Sequence, residues 1–203
     1  MYFVQSADSD VSNLQLPEPG LLLYYKDLDH RTLWLDTEVN DFTMYLGRHI
    51  IDWNREDKGK PIEDRIPIRI MFMSVGGDLS VNNSICDIIS LSETPVIGVN
   101  CGIAYSAACF IYLACHKRYA FPNSEFLIHS GSGGFEGTYD QVVSAVVNYQ
   151  NQVDKLASYI MDRTKITQEE IEQNFMSDWY VSSEEALDKG ICEKLITSLD
   201  EII

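Results

Sequence analysis

Ile66 to Met73 is almost unbroken in apolar residues, ends in Ser74-Val75-Gly76-Gly77, and passes directly into a helical pattern from Asp78 to Leu91. A strand apolar on both faces belongs in the interior of a parallel sheet, where helices cover it. The helical stretch places Val81, Ile85, Ile88 and Ile89 on one face, as a helix lying on such a sheet requires. The unit recurs: strand Pro95 to Cys101, a turn, helix Ser106 to Cys115, strand Lys117 to Phe121, the turn Pro122-Asn123-Ser124, and strand Glu125 to His129. Strands alternating with helices predict an α/β fold with parallel pairing.

Around this centre the chain is legible in pieces. Phe42, Leu46, Ile50 and Trp53 recur at helical spacing across Asn40 to Trp53, and the charged loop Asn54 to Asp64 closes that unit. Thr138 to Arg163 reads as one long helix whose seam of Val142, Val146, Tyr149, Val153, Leu156 and Ile160 packs against another helix, within the chain or in an oligomeric partner. Thr167-Gln168-Glu169-Glu170 and Ser182-Ser183-Glu184-Glu185 each fit a capping box, and Gly190 supplies a helix stop. Residues 1–20 are mostly polar, end in Pro17-Glu18-Pro19-Gly20, and read as a flexible arm; residues 21–203 read as a single domain.

A formal charge of −16 argues against a nucleic-acid partner, which needs a basic footprint. The sequence has no apolar run long enough to span a bilayer and no secretory pattern at its start, so the expectation is a cytoplasmic protein with no membrane partner. The five cysteines, Cys86, Cys101, Cys109, Cys115 and Cys192, form no CxxC pair and read as buried apolar side chains rather than metal ligands.

Ser106 sits on a strand-to-helix turn, where free backbone N–H groups and positive potential suit a developing oxyanion beside a nucleophile. A small residue at a helix start also serves as a simple cap, so Ser106 alone is ambiguous. His129 ends an apolar strand beside Ser130-Gly131-Ser132-Gly133-Gly134, whereas His30, His49 and His116 lie in polar surroundings and read as surface residues. Asp178, between Met176-Ser177 and Trp179-Tyr180-Val181, reads as a carboxylate among bulky neighbours that requires a partner, either a histidine N–H or a helix N-terminus. Gly76-Gly77 ends the preceding strand and offers exposed N–H groups; neither a Lys-Ser/Thr pair nor a GxGxxG pattern accompanies it, which argues against a phosphate site.

In order, SVGG, GIAYSAACFIYLAC, KRYAFPNSEFLIH with a Gly-rich stretch, and SDWYVSSEEALDKGI resemble the ClpP family, the proteolytic subunits of Clp proteases, from about Leu21 onward. The resemblance implies a crotonase-like fold of repeated ββα units with a protruding handle helix, about residues 130–165, and a role for residues 1–20 as an axial loop. It further implies a serine-type endopeptidase with Ser106 as nucleophile, His129 as general base and Asp178 as the acid that orients it. The amides of Gly77 and Ala107 match the oxyanion donors, and Asp78, Leu79, Ser80, Ser130, Gly131 and Ser132 match the backbone edges that hold an extended substrate. The implied assembly is a heptamer or stacked double heptamer, fed with unfolded proteins by an AAA+ unfoldase of the Clp type. That unfoldase uses the ATP, and this subunit carries no cofactor or metal.

Four departures bear on that resemblance. The family's Ser-Pro-Gly-Gly is SVGG here, the Gln-Pro after the histidine is Ser130-Gly131, and Ala107 stands where a larger apolar residue is usual. The arginine before the acid is Ser177, which removes a contact between rings. A weakly active or non-catalytic ring subunit, a phage-type capsid maturation protease and an acyl-CoA enzyme of the same fold are the competing readings.

Overall fold

The computed structural model describes residues 18–203. The arm expected over residues 1–20 lies outside the described residues except for its end, where Pro19 opens the first helix, α1 (Pro19–Asp29). The remaining elements are β1 (Thr32–Leu35), α2 (Met44–Glu56), β2 (Ile68–Ser74), α3 (Leu79–Ser90), β3 (Val96–Tyr105), α4 (Ala107–Ala114), β4 (Lys117–Ala120), β5 (Glu125–Ile128), α5 (Tyr139–Arg163), α6 (Gln168–Asn174), β6 (Trp179–Ser182), α7 (Ser183–Asp188) and β7 (Lys194–Leu195). The expected α/β architecture holds: β1, β2, β3, β4 and β7 lie side by side, all parallel.

β3 carries the one feature of the sheet that matters most for the site. It extends beyond the expected end at Cys101 to Tyr105, and its two halves have different neighbours. Ile97 to Asn100 pair with β4, whereas Ile103 to Tyr105 pair in parallel with β5. Asn100 is wholly buried at the fork; its side-chain amide donates to the Glu125 carbonyl at 2.9 Å and its oxygen accepts from the Gly102 amide at 3.1 Å. Those two bonds satisfy a buried polar group and hold the diverging strands at a set separation. β6 then returns antiparallel along β5, with Trp179 opposite Ile128. The ends of β3 and β5 and the start of β6 therefore meet at one corner of the sheet.

The main core lies between the sheet and α2, α3 and α4. α4 is buried along its whole length, from Ala107 to Ala114, as an apolar helix without a polar face must be. Leu46, Ile50 and Trp53 are buried as their spacing predicts, but Phe42 is 88% exposed. It belongs to a 3-10 turn, Asp41–Thr43, closed by reciprocal Asn40 and Thr43 caps, and so leaves the apolar face of α2. The seam of α5 divides: Val153, Leu156 and Ile160 are buried, Val142 and Tyr149 are half-buried and Val146 is exposed, as are Tyr139, Val143 and Val147 off the seam. α1 buries none of its residues.

Cys86, Cys109, Cys115 and Cys192 are buried and free; Cys101 is only half-buried. Burial pushes the Cys86 and Cys109 thiols up to about 12, which keeps them protonated and apolar in character. Both predicted capping boxes form. At Thr167 the hydroxyl accepts from the Glu170 amide and the Glu170 carboxylate accepts from the Thr167 amide at 2.9 Å. Thr167→Ala is expected to cost about 1 kcal/mol in urea denaturation, with no change in slope.

At the opposite end of the sheet from the fork lies a buried ion-pair network. Asp57 has a fully buried carboxylate that accepts from Arg31 at 2.5 and 3.1 Å, from Lys60 at 2.7 Å and from the Thr94 hydroxyl at 3.0 Å. Arg31 holds a left-handed backbone at φ 50 and also donates to the Ile66 carbonyl at 3.1 Å. The network ties the start of β1 to the end of α2 and to the turn before β3. The Arg31 guanidinium, assisted by Lys60 and Thr94, holds the Asp57 carboxyl well below the usual carboxylate range.

Candidate active site

Three separate chain segments deliver Ser106, His129 and Asp178 to the corner where β3, β5 and β6 meet. Ser106 follows β3 directly and has φ 52 and ψ −124, a sparsely allowed backbone for a residue with a Cβ. Its amide still donates to the Leu127 carbonyl at 2.9 Å, the last rung of the β3–β5 ladder. The turn into α4 is thus held from the strand side while its geometry pushes the hydroxyl outward. His129 is the next residue after β5, and its Nε2 lies 2.7 Å from Ser106 Oγ. Asp178 immediately precedes β6; its Oδ1 is 3.2 Å from His129 Nδ1. An ionised carboxylate only accepts, so Nδ1–H donates to Asp178 and Nε2 is left to accept the Ser106 proton.

The surroundings of Asp178 differ from those its sequence suggests. Its side chain is 59% exposed, because the neighbouring Trp179 and Val181 point into the sheet and the acid points outward. His49 is also not a plain surface residue: half-buried, it stacks on Trp53 and bonds the Tyr24 hydroxyl at 3.1 Å. His116 is exposed, with Nδ1 accepting from the Val96 amide at 2.9 Å, and His30 is exposed. Neither joins the site.

Gly76 and Gly77 lie against the Ser106 turn. A Cβ at Gly76, φ 90, would fall 2.5 Å from the Tyr105 carbonyl and 2.8 Å from the Ala107 amide, an approach open only to glycine. The Val39 amide donates to the Gly76 carbonyl and the Asp78 amide donates to the Val39 carbonyl, both at 2.8 Å. That bridge leaves the intervening Gly77 N–H directed to the other side, toward the cleft. Ala107 opens α4, so its N–H also lacks an intrahelical partner. Gly77 and Ala107 line one cleft with Ser106, and neither amide has a backbone partner among the described residues.

The cleft has a volume of about 360 Å³, lined by Gly77, Leu79, Ser106, His129, Ser130 and Tyr149 among others. Gly131 and Ser132, on its far side, make no backbone hydrogen bond among the described residues and present a free edge. On the near side the expected edge is shorter than the sequence suggests. Asp78 is extended at ψ 126, but Leu79 and Ser80 already form the first turn of α3, which the Asp78 carboxylate caps by accepting from Val81 N at 2.9 Å. Leu79 and Ser80 thus provide no strand edge; Leu79 serves the cleft through its side chain. Tyr149 and Leu156, which the sequence marks only as seam residues of a helix, also line the cleft. Tyr149 donates to the Ser130 carbonyl at 3.1 Å and so steadies the loop after His129. Ser177, whose hydroxyl donates to the Asn174 carbonyl, closes a local turn.

Among known proteins, the sequence model of the Clp protease family matches residues 26–199. The chain belongs to the Clp protease family. Within it, the chain is similar to the ATP-dependent Clp protease proteolytic subunit of Paracoccus denitrificans, 30% identical over 138 residues that cover 67% of this chain and 69% of the relative. It is also similar to the proteolytic subunit 2 of Pseudomonas aeruginosa, 31% identical over 141 residues with the same coverage of each chain. The solved structure of a point mutant of ClpP1 from Listeria monocytogenes superposes with a TM-score of 0.75 at 25% identity, covering 88% of this chain and 98% of that one. Membership makes this ClpP-family chain a peptidase of the Clp type, and it favours the proteolytic reading over a non-catalytic subunit or a capsid protease. No described helix is long and apolar enough to cross a membrane.

Proposed function

We propose that this protein is a serine endopeptidase in which Ser106 is the nucleophile, His129 the general base and acid, and Asp178 the residue that holds the His129 tautomer. The observation that carries this reading is the continuous chain of short contacts, 2.7 Å from Ser106 Oγ to His129 Nε2 and 3.2 Å from His129 Nδ1 to Asp178. Ser106 Oγ forms a bond to the peptide carbonyl carbon as its proton passes to Nε2. The same proton goes to the leaving amine as the C–N bond breaks, and water then hydrolyses the acyl-enzyme by the reverse exchange. The N–H groups of Gly77 and Ala107 donate to the oxyanion, and the free edge at Gly131 and Ser132, with Asp78 opposite, pairs with the extended substrate.

Gly77→Ala tests the oxyanion role. Its φ of 150 and the Val39 carbonyl beside it leave no room for a Cβ, so the N–H must turn away. The expected outcome is a loss of about 100- to 1,000-fold in kcat on a fluorogenic peptide. A kcat close to that of the parent would remove Gly77 from the site.

The family and the relatives' names also support a self-compartmentalised assembly: a homo-heptamer, alone or stacked in pairs through the projecting turns of α5. In that assembly an AAA+ unfoldase of the Clp type spends the ATP and delivers unfolded chains. Residues 21–203 act as one protease domain in the cytoplasm, without a cofactor of their own. The exposed apolar residues of α1 and of the first half of α5 are what such an assembly covers. Light scattering on the purified protein tests it, with a mass of seven or fourteen chains expected and a stable monomer contradicting it.

A further inference from the structure

β6 pairs with β5 alone, so among the described residues no strand pairing joins the segment that carries Asp178 to the strand that leads into Ser106. Side chains make that connection instead. Tyr105, the residue before Ser106, and Tyr180, two residues after Asp178, both lie in register with Leu127 of β5, so all three side chains share one face of the sheet. The two tyrosine rings meet across that face with centroids 5.8 Å apart and planes at 83°, an edge-to-face pair. The Tyr105 hydroxyl donates to the Glu125 carboxylate, which fixes its ring against β5. Burial, and after it that carboxylate, push the Tyr105 phenol up to about 12, so it stays a donor. Tyr180 is 53% exposed, and it meets Tyr105 through its ring. The Asp178 carboxylate contacts His129 at 3.2 Å and no other polar side chain among the described residues, so its aim depends on where the chain entering β6 is held.

We propose that Tyr180 is a positioning residue: its ring, braced by Tyr105, holds the start of β6 so that Asp178 meets His129. The inference rests on the catalytic reading given above. β6 is a four-residue strand with one pairing partner, and the ends of such strands open readily. The ring pair spans β5 and ties that end to the residue before the nucleophile, so acid and nucleophile are held as one unit. Ser177 stands where the family has an arginine, which leaves the alignment of Asp178 to contacts of this kind within the subunit.

Double-variant kinetics on a fluorogenic peptide separate positioning from folding. Tyr180→Ala is expected to lower kcat about tenfold with little change in KM, as a small misplacement of a catalytic group does. Tyr180→Phe, which keeps the ring, is expected to recover most of that loss. In an Asp178→Asn background Tyr180→Ala is expected to lower kcat no further, because a residue acting only through Asp178 has nothing left to position. A loss of folded protein would instead reduce both backgrounds by the same factor. Tyr105→Ala combined with Tyr180→Ala is expected to lose no more than the larger of the two losses alone. An unchanged kcat in Tyr180→Ala, a loss that phenylalanine does not recover, or additive losses in either pair would overturn the proposal while leaving the triad standing. An Asp178→Asn protein as active as the parent would overturn the role given to Asp178 and the proposal with it.

Discussion

Replacing Ser106 by alanine is expected to lower kcat for peptide hydrolysis by about 10⁵- to 10⁶-fold, with no loss of folded protein. The side chain contributes only an Oγ on the cleft side, while its amide keeps the bond to the Leu127 carbonyl in either form. His129→Ala is expected to fall equally far, because a serine hydroxyl without a base at 2.7 Å is a poor nucleophile. Asp178→Asn is expected to cost about 10⁴-fold, since an amide in that place favours the wrong imidazole tautomer. Combining Ser106→Ala with His129→Ala should add nothing further, as groups acting as one unit are not additive. Steady-state kinetics on a blocked fluorogenic peptide checks all four; additive losses would mean that the residues act separately.

Asp57→Ala is expected to destabilise the fold by about 3–5 kcal/mol in denaturant unfolding. The carboxylate is fully buried, and its removal leaves the 8%-exposed Arg31 side chain with only the half-exposed Glu56 carboxylate as a charged partner, and the Thr94 hydroxyl without its acceptor. Asp57 also sets an acid limit. Its folded-state carboxyl is held below the value near 3.9 of the unfolded chain, so the native state binds fewer protons than the unfolded one. The stabilisation is therefore complete above about pH 4 and is lost as pH falls further toward the folded-state value. Unfolding titrations at pH 7 and pH 3 should show the parent losing more stability than Asp57→Ala does. Equal losses would place the acid sensitivity elsewhere.

What could be read from the sequence follows from which signals are local. The strand–turn–helix units around Gly76-Gly77 and Ser106 and the caps at Thr167 and Ser182 each depend on a few adjacent residues, and all form as expected. The meeting of Ser106, His129 and Asp178 could be inferred only from the resemblance. It depends on β3 having two successive partners and on β6 turning back along β5, and such pairings leave no local periodicity. The exposure of Asp178 was hidden for a similar reason: the side alternation of a four-residue strand decides it, not the apolar character of its neighbours. Leu79 and Ser80 lie in α3 rather than on an extended edge because the Asp78 cap starts the helix immediately after the glycines, which no local pattern distinguishes. The division of the α5 seam reflects which of its turns lie against α4, which helical spacing cannot report.

The central claim is that Ser106 is an activated nucleophile, and intact-mass spectrometry after fluorophosphonate treatment tests it most directly. The geometry predicts one adduct per chain on the purified protein, mapped to Ser106, and none on Ser106→Ala. An unlabelled parent protein, or an adduct that persists in the alanine variant, would contradict it.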